Sequence, residues 1–164
     1  MKIRKILPED NQAIKEIIQT SILEHGAPKI GTAYSDAATQ AMYEQYQKPR
    51  RTYYVIEVDG VVVGGAGIAP LDNYNGNVSE LQKMYFKPEV RGKGYGKKLM
   101  MTCLERAKEF KFESVYLETM DNMYDAQGLY KHVGFKLLDG PLGDTGHFSC
   151  PVQMIKYFES PLNG

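Results

Sequence analysis

Between Arg91 and Gly96 the chain reads Arg-Gly-Lys-Gly-Tyr-Gly, and Lys97 and Lys98 follow directly. Leu99, Cys103, Leu104, Ala107 and Phe110 then recur at helical spacing, so the glycines stand where a helix begins. Such a turn leaves backbone N–H groups unpaired at the positive end of the helix dipole, which makes a seat for a pyrophosphate. Lys93, Lys97 and Lys98 add positive charge to it. Just upstream, Val78 to Phe86 reads as a strand. Lys87-Pro88-Glu89 stops it, because Pro88 lacks an N–H and biases Lys87 away from helix. That strand carries Glu80, a carboxylate beside the apolar Leu81 and Tyr85. Burial there lifts a carboxyl pKa toward neutrality, the condition for a general base. Ordinary strand alternation also places a polar residue on a solvent face, so both readings of Glu80 stand.

The glycine turn is not a Walker A loop, which requires Gly-x-x-x-x-Gly-Lys-Ser/Thr, because the hydroxyl residue is missing. Nor is it a Rossmann fingerprint, since the spacing is Gly-x-Gly-x-Gly and a linker separates it from its strand. Arg91-x-x-Gly94-x-Gly96 instead resembles the coenzyme A signature of the GCN5-related N-acetyltransferases (the GNAT family), Arg/Gln-x-x-Gly-x-Gly/Ala. Glu80 precedes Arg91 by eleven residues, as the catalytic glutamate does in histone-acetylating members. Leu129-Tyr130-Lys131-His132-Val133-Gly134-Phe135 resembles the family's closing Leu-Tyr-x-x-x-Gly-Phe. The resemblance covers roughly residues 1 to 158.

The resemblance implies an enzyme that moves an acetyl group from acetyl-coenzyme A directly to a primary amine, without a metal. It implies Glu80 as the base, acting directly or through water, and Tyr130 as the acid that returns a proton to the coenzyme A sulfur. A tyrosine on an apolar helix face is also ordinary core. Main-chain groups of Met84, Tyr85 and Phe86 would pair with the pantetheine arm. The turn Arg91, Gly92, Lys93, Gly94, Tyr95, Gly96 and Lys97 would take the pyrophosphate, with Asn122 and Ala126 on the far side. The family often has Asn seven residues before the tyrosine; Met123 holds that place, and Asn122 adjoins it. Glu118, on the neighbouring strand, is the alternative base. Tyr34, Asp36, Glu118 and His147 are candidates for the acceptor side. His147 lies in the loop Gly143-Asp144-Thr145-Gly146-His147, and could orient an acceptor, act as a base or cap a turn. A covalent relay through Cys150 is disfavoured, because the family transfers directly.

The elements that must position these residues follow from the chain order. Lys2 to Ile6 reads as a strand. Pro8-Glu9-Asp10 opens a helix with apolar face Ile14, Ile17, Ile18 and Ile22, ending at Gly26-Ala27-Pro28. A second helix is expected from Ser35-Asp36 to about Gln47. Thr52 to Val58 and Val61 to Ala69 form a hairpin around Asp59-Gly60, a type I′ signal. Gly64-Gly65-Ala66-Gly67 weakens the second of these strands unless a backbone, bulge or ligand comes close. After the central strand and the turn, the pattern gives a helix to about Lys111 and a strand from Glu113 to Thr119. Next come a helix carrying Ala126, Leu129, Tyr130 and Val133 and ended by Gly134, and strands Phe135 to Leu138 and about Ser149 to Phe158. This order predicts an α/β (α+β) domain over 1–158 with a flexible tail at 159–164. The resemblance adds a mixed, mostly antiparallel sheet of about seven strands and four helices, with the fourth and fifth strands splayed.

Composition bounds the rest. The chain has 164 residues, 43% hydrophobic and 24% charged, with 20 basic and 20 acidic side chains. It is long enough for one substantial core. With no net charge there is no global field to attract nucleic acid or an anionic membrane, and no apolar run approaches a membrane span. Two cysteines without metal or redox spacing fit a reduced, cytoplasmic setting. A small-molecule amine or amino-acid acceptor is favoured over a protein amine, and a homodimer is compatible. Loops Gly26 to Tyr46, Pro70 to Asn77 and Asp139 to Phe148 are expected to choose the acceptor. The competing reading is a catalytically silent acyl-coenzyme A sensor or interaction domain.

Overall fold

The computed structural model describes residues 1–159; beyond its first residue, the expected tail Glu159–Gly164 lies outside that range. Seven strands form one sheet, β1 (Lys2–Lys5), β2 (Thr52–Val58), β3 (Val61–Pro70), β4 (Val78–Phe86), β5 (Ser114–Thr119), β6 (Lys136–Leu137) and β7 (Val152–Tyr157), in the order β1-β2-β3-β4-β5-β7-β6. Every neighbouring pair is antiparallel except β4 with β5. That parallel pair is short: Val78, Ser79 and Glu80 face Ser114, Val115 and Tyr116, and the pairing ends there. The expected splay therefore opens immediately after Glu80.

Side-chain alternation divides the core into two layers. Ile56, Ile68 and Leu81 pack with α3 (Tyr95–Glu109) and with Tyr130 of α4 (Tyr124–Val133). On the other face, Tyr53, Val55 and Ala69 pack with Ile14, Ile17, Ile18 and Ile22 of α1 (Asn11–Glu24). All four isoleucines are buried, as the period predicts. Asp59 and Gly60 both have positive φ, 51° and 80°, as a type I′ hairpin turn requires. Gly134 ends α4 at φ 111°.

The second helix is a correction. Residues Ser35 to Gln47 break into 3-10 turns at Ala33–Ser35 and Ala37–Gln40 and a single helical turn, α2 (Met42–Gln45). Polar side chains draw the backbone off a continuous helix: Thr39 Oγ1 donates to the Ala33 carbonyl (2.6 Å) and Asn11 Oδ1 accepts from the Tyr43 amide (2.8 Å). Between the two 3-10 turns Asp36 is extended, with φ −61° and ψ 135°. The last two strands are also shorter than expected. Ser149 is held outside β7, its amide on the Gly31 carbonyl and its hydroxyl on the Ile30 carbonyl, both at 3.0 Å.

The glycines of β3 make room for aromatic rings. A Cβ on Gly65 would lie 2.5 Å from the Tyr53 ring, one on Gly67 2.6 Å from the same ring, and one on Gly64 2.3 Å from the Phe86 ring. Opposite them β4 bulges: its register against β3 shifts between Gly65 and Gly67, and Lys83 takes a left-handed φ of 50°. The Tyr53 hydroxyl donates to the Lys83 carbonyl at 2.8 Å and braces this bulge.

Candidate active site

A cavity of about 500 Å³ opens where β4 leaves β5. Met84, Tyr85 and Phe86 line it from the strand, Arg91, Gly92, Gly94, Tyr95, Gly96 and Lys97 from the turn, and Asn122 and Ala126 from the far side. Of the expected cofactor set only Lys93 is absent from the lining; it is exposed, as is Lys98. Gly92 and Gly94 have φ of 77° and 80°, and a Cβ on either would meet nothing within 4 Å. These glycines therefore provide backbone shape, and α3 starts immediately after Gly94. Gly96 is close to α4 instead: a Cβ there would sit 3.4 Å from Leu129 Cδ2.

Two expected contacts are partly engaged by the protein itself. The Arg91 guanidinium donates to the Phe86 carbonyl (2.7 Å), to Glu24 (2.8 Å) and to Ser21 Oγ (3.3 Å), which fixes the turn against α1 and β4. The Phe86 carbonyl is thereby occupied. Asn122 Nδ2 donates to the His25 carbonyl at 2.7 Å and ties the β5–α4 connection to the end of α1. Ser21 and His25 also line the cavity; nothing in the spacing of α1 marked them.

Glu80 occupies the last rung before the splay and is 4% exposed. Gln82, two residues on and so on the same face of the strand, donates to Glu80 Oε1 at 2.6 Å and accepts from the Tyr46 hydroxyl at 2.5 Å. Burial is the largest influence on Glu80 and raises its pKa to about 7. Gln82, His147 and Lys83 pull the other way, and Glu118 adds to the rise. Strand alternation contained the signal for Gln82; Tyr46 was marked only as the end of the Gly26 to Tyr46 stretch.

Glu118 and His147 come to Glu80 from β5 and from the β6–β7 loop, with one carboxylate or ring atom of each of the three within 4.8 Å of the others. Glu118 accepts from the Tyr116 hydroxyl (2.7 Å) and from the Thr145 hydroxyl. His147 Nε2 lies 2.6 Å from Asp36 Oδ2, and Lys83 Nζ lies 2.9 Å from the same oxygen. Burial disfavours charge on His147, but the Asp36 carboxylate outweighs it and raises the pKa. Three of the expected acceptor candidates thus come together. The fourth, Tyr34, packs on the α1 layer with Lys29 over its ring, and its carbonyl accepts from Gln19; none of its hydrogen bonds reaches the Glu80 group. The three loops expected to choose the acceptor touch one another: Asn73 Nδ2 donates to the Asp144 carbonyl (2.8 Å), the Asp144 amide to the Asp72 carbonyl (3.1 Å), and Ser149 to the 26–36 loop.

Tyr130 is 6% exposed on the buried face of α4, its ring 5.9 Å from that of Phe135. Burial raises the pKa of its hydroxyl, so it keeps its proton at neutral pH. Burial, then Glu118, Glu80 and Asp36, hold the Cys150 thiol up at about 12, which leaves it a poor nucleophile.

Residues 16–135 match the Acetyltransferase (GNAT) family. The chain belongs to that family. It is 42% identical to the uncharacterised N-acetyltransferase YjgM of Escherichia coli K12, over 94% of this chain and 93% of that one. This chain is accordingly an acetyl-coenzyme A-dependent N-acetyltransferase. It is also similar to the spermine/spermidine N(1)-acetyltransferase of Bacillus subtilis, at 34% identity over 62% of this chain and 66% of that protein. Among solved structures, a GNAT-family acetyltransferase of Staphylococcus aureus superposes with a TM-score of 0.84 at 22% identity, covering 96% of this chain and 99% of the other. YncA of Salmonella typhimurium, solved with acetyl-coenzyme A, gives 0.78 at 24% identity, covering 98% and 95%. At those identities the two structures establish the shared fold. Among the described residues no helix is long and apolar enough to cross a membrane.

Proposed function

We propose that this acetyltransferase acylates the primary amine of a small molecule by direct attack, with Glu80 as the base and Tyr130 as the acid. The observation that carries this reading is the position of Glu80: buried, at the rung where the strands part, with an ionisation at about 7. A free alkyl amine has a pKa of about 10.4 and arrives protonated at neutral pH. A carboxylate that titrates near 7 can remove that proton and release it again within a cycle. The amine nitrogen then attacks the thioester carbonyl and the C–N bond forms; the adduct nitrogen gives its second proton to solvent, and the C–S bond breaks as the thiolate leaves. The Tyr130 hydroxyl, protonated at neutral pH, supplies the proton that the sulfur needs and regains one from solvent.

The donor binds along the 500 Å³ cavity. Its pyrophosphate sits against the first amides of α3, which have no preceding turn to bond, and Lys97 contributes charge. The β4 backbone at Met84 and Tyr85 takes the pantetheine arm. On the acceptor side, Glu80 and Glu118 form a carboxylate pair that favours a cationic amine. The likeness to a spermine/spermidine acetyltransferase supports a small amine, while the likeness to a putative ribosomal-protein-alanine acetyltransferase of Bacillus subtilis (33% identity over 57% of this chain) supports a protein terminus. The closed contacts among the three loops favour the small molecule.

The test is release of coenzyme A thiol from acetyl-coenzyme A across a panel of diamines, polyamines, amino acids and peptide N-termini. Saturable release with a small amine, absent with peptides, is the expected result. Tight binding of acetyl-coenzyme A with no release on any acceptor would instead identify a silent sensor.

A further inference from the structure

We propose that Asp36 is a positioning residue that couples the acceptor loop to the cofactor strand, holding His147 beside Glu80 and Lys83 in the β4 bulge through a single carboxylate oxygen. This rests on the reading of Glu80 as the base. Asp36 Oδ2 takes both partners, His147 Nε2 at 2.6 Å and Lys83 Nζ at 2.9 Å. The side chains are 24% exposed for Asp36, 15% for His147 and 6% for Lys83. A lysine so enclosed needs a counter-charge, and Asp36 is the only carboxylate in ion-pair range of it among the described residues. Asp36 is extended between the two 3-10 turns, ending one and starting the next, and its side chain makes no capping bond there.

Each arm of the link acts on one half of the reaction. Lys83 is left-handed at the bulge, its carbonyl is held by Tyr53, and its neighbours Met84 and Tyr85 line the cavity. Fixing its side chain fixes the direction of the strand's next amides. His147 comes from the 139–151 loop and meets Glu80 of β4 and Glu118 of β5. The charged and titratable groups facing it are Asp36, Lys83, Glu80 and Glu118; behind them are Tyr116, bonded to Glu118, and Cys150. A protonated His147 favours ionised Glu80, and Asp36 favours protonated His147. Asp36 thereby acts on the base through another residue.

Side-chain NMR of His147, in protein labelled at histidine, tests the first link without depending on turnover. In Asp36→Asn the His147 midpoint should fall by about one unit or more, the scale expected when an adjacent opposite charge is lost. On a single amine acceptor, the acidic limb of kcat/KM should move to higher pH in Asp36→Asn and in His147→Gln, and the double variant should move it no further. Because Asp36→Asn leaves Lys83 buried without a counter-charge, Asp36→Asn with Lys83→Met provides the folded control; loss of the Lys83 charge should make the fall of the His147 midpoint smaller and carry the limb further in the same upward direction. An unchanged His147 midpoint in a folded variant overturns the proposal. So does an unmoved limb with a rate loss equal at every pH. Absence of any Glu80-dependent limb in the wild type would overturn the base assignment and leave the NMR result to be judged separately.

Discussion

Glu80 faces Tyr116 across the last rung of the parallel β4–β5 pairing. One residue further along, the strands no longer share a partner, and within a few residues of that point Met84 and Tyr85 line the 500 Å³ cavity. The carboxylate is therefore buried like core at the rung where the strands part, and that burial raises its pKa. The Tyr116 hydroxyl in turn donates to Glu118, so the same rung also orients the second carboxylate.

Glu80→Gln should slow turnover most near neutral pH, and raising the pH should partly rescue it as solvent supplies the free amine. The wild-type kcat/KM profile should carry an acidic limb near 7 that the variant lacks. Equal loss at all pH values on one acceptor would make Glu80 a binding residue. The same shift has a stability consequence. The folded chain holds this proton up to about pH 7, whereas an ordinary carboxyl releases it near 4.5. In that window the native state binds more protons, so stability falls as pH rises through it. Urea unfolding of Glu80→Gln should show a flatter dependence between those pH values.

Tyr130→Phe keeps the ring against Phe135 and removes only the hydroxyl, so Tm should change little. Turnover should fall by roughly 10² or more when a positioned acid is lost. Equal single-turnover rates would return Tyr130 to a packing role.

Gly94→Val places a branched side chain in open space at φ 80°, on a residue that lines the cavity. Acetyl-coenzyme A should raise the Tm of the wild type and protect the amides of Gly92 to Gly96 from hydrogen exchange. In the variant both effects should disappear. A full ligand-induced Tm shift in folded Gly94→Val would remove the phosphate from this turn.

Gly65→Ala should destabilise by about 1–3 kcal/mol, the usual cost of overpacking, because the new methyl meets the Tyr53 ring at 2.5 Å. Displacing that ring also disturbs its bond to the Lys83 carbonyl, so the KM for acetyl-coenzyme A should rise. Denaturant unfolding and steady-state kinetics read the two effects. Unchanged KM in a clearly destabilised variant would show that the bulge holds its shape without Tyr53.

Local chemistry was legible in the sequence. The glycines before Leu99 could only be a turn at a helix start, Asp59-Gly60 could only be a tight hairpin, and the isoleucines of α1 could bury only one face. Each of these depends on φ preferences or on a repeat of a few residues, which neighbouring positions determine. The expected splay and the role of Glu80 came from resemblance, and the burial that gives Glu80 its pKa is visible only with both sheet faces covered. The cap candidates Ser35-Asp36 predicted a helix running to about Gln47; hydrogen bonds at Asn11 and Thr39 break that stretch into short turns, and the Asp36 carboxylate pairs with Lys83 and His147 instead of capping. Asp36 and His147 are 111 residues apart, and no local pattern encodes their meeting. That contact, the left-handed Lys83 and the brace from Tyr53 depend on which strands lie side by side, and only tertiary packing decides that.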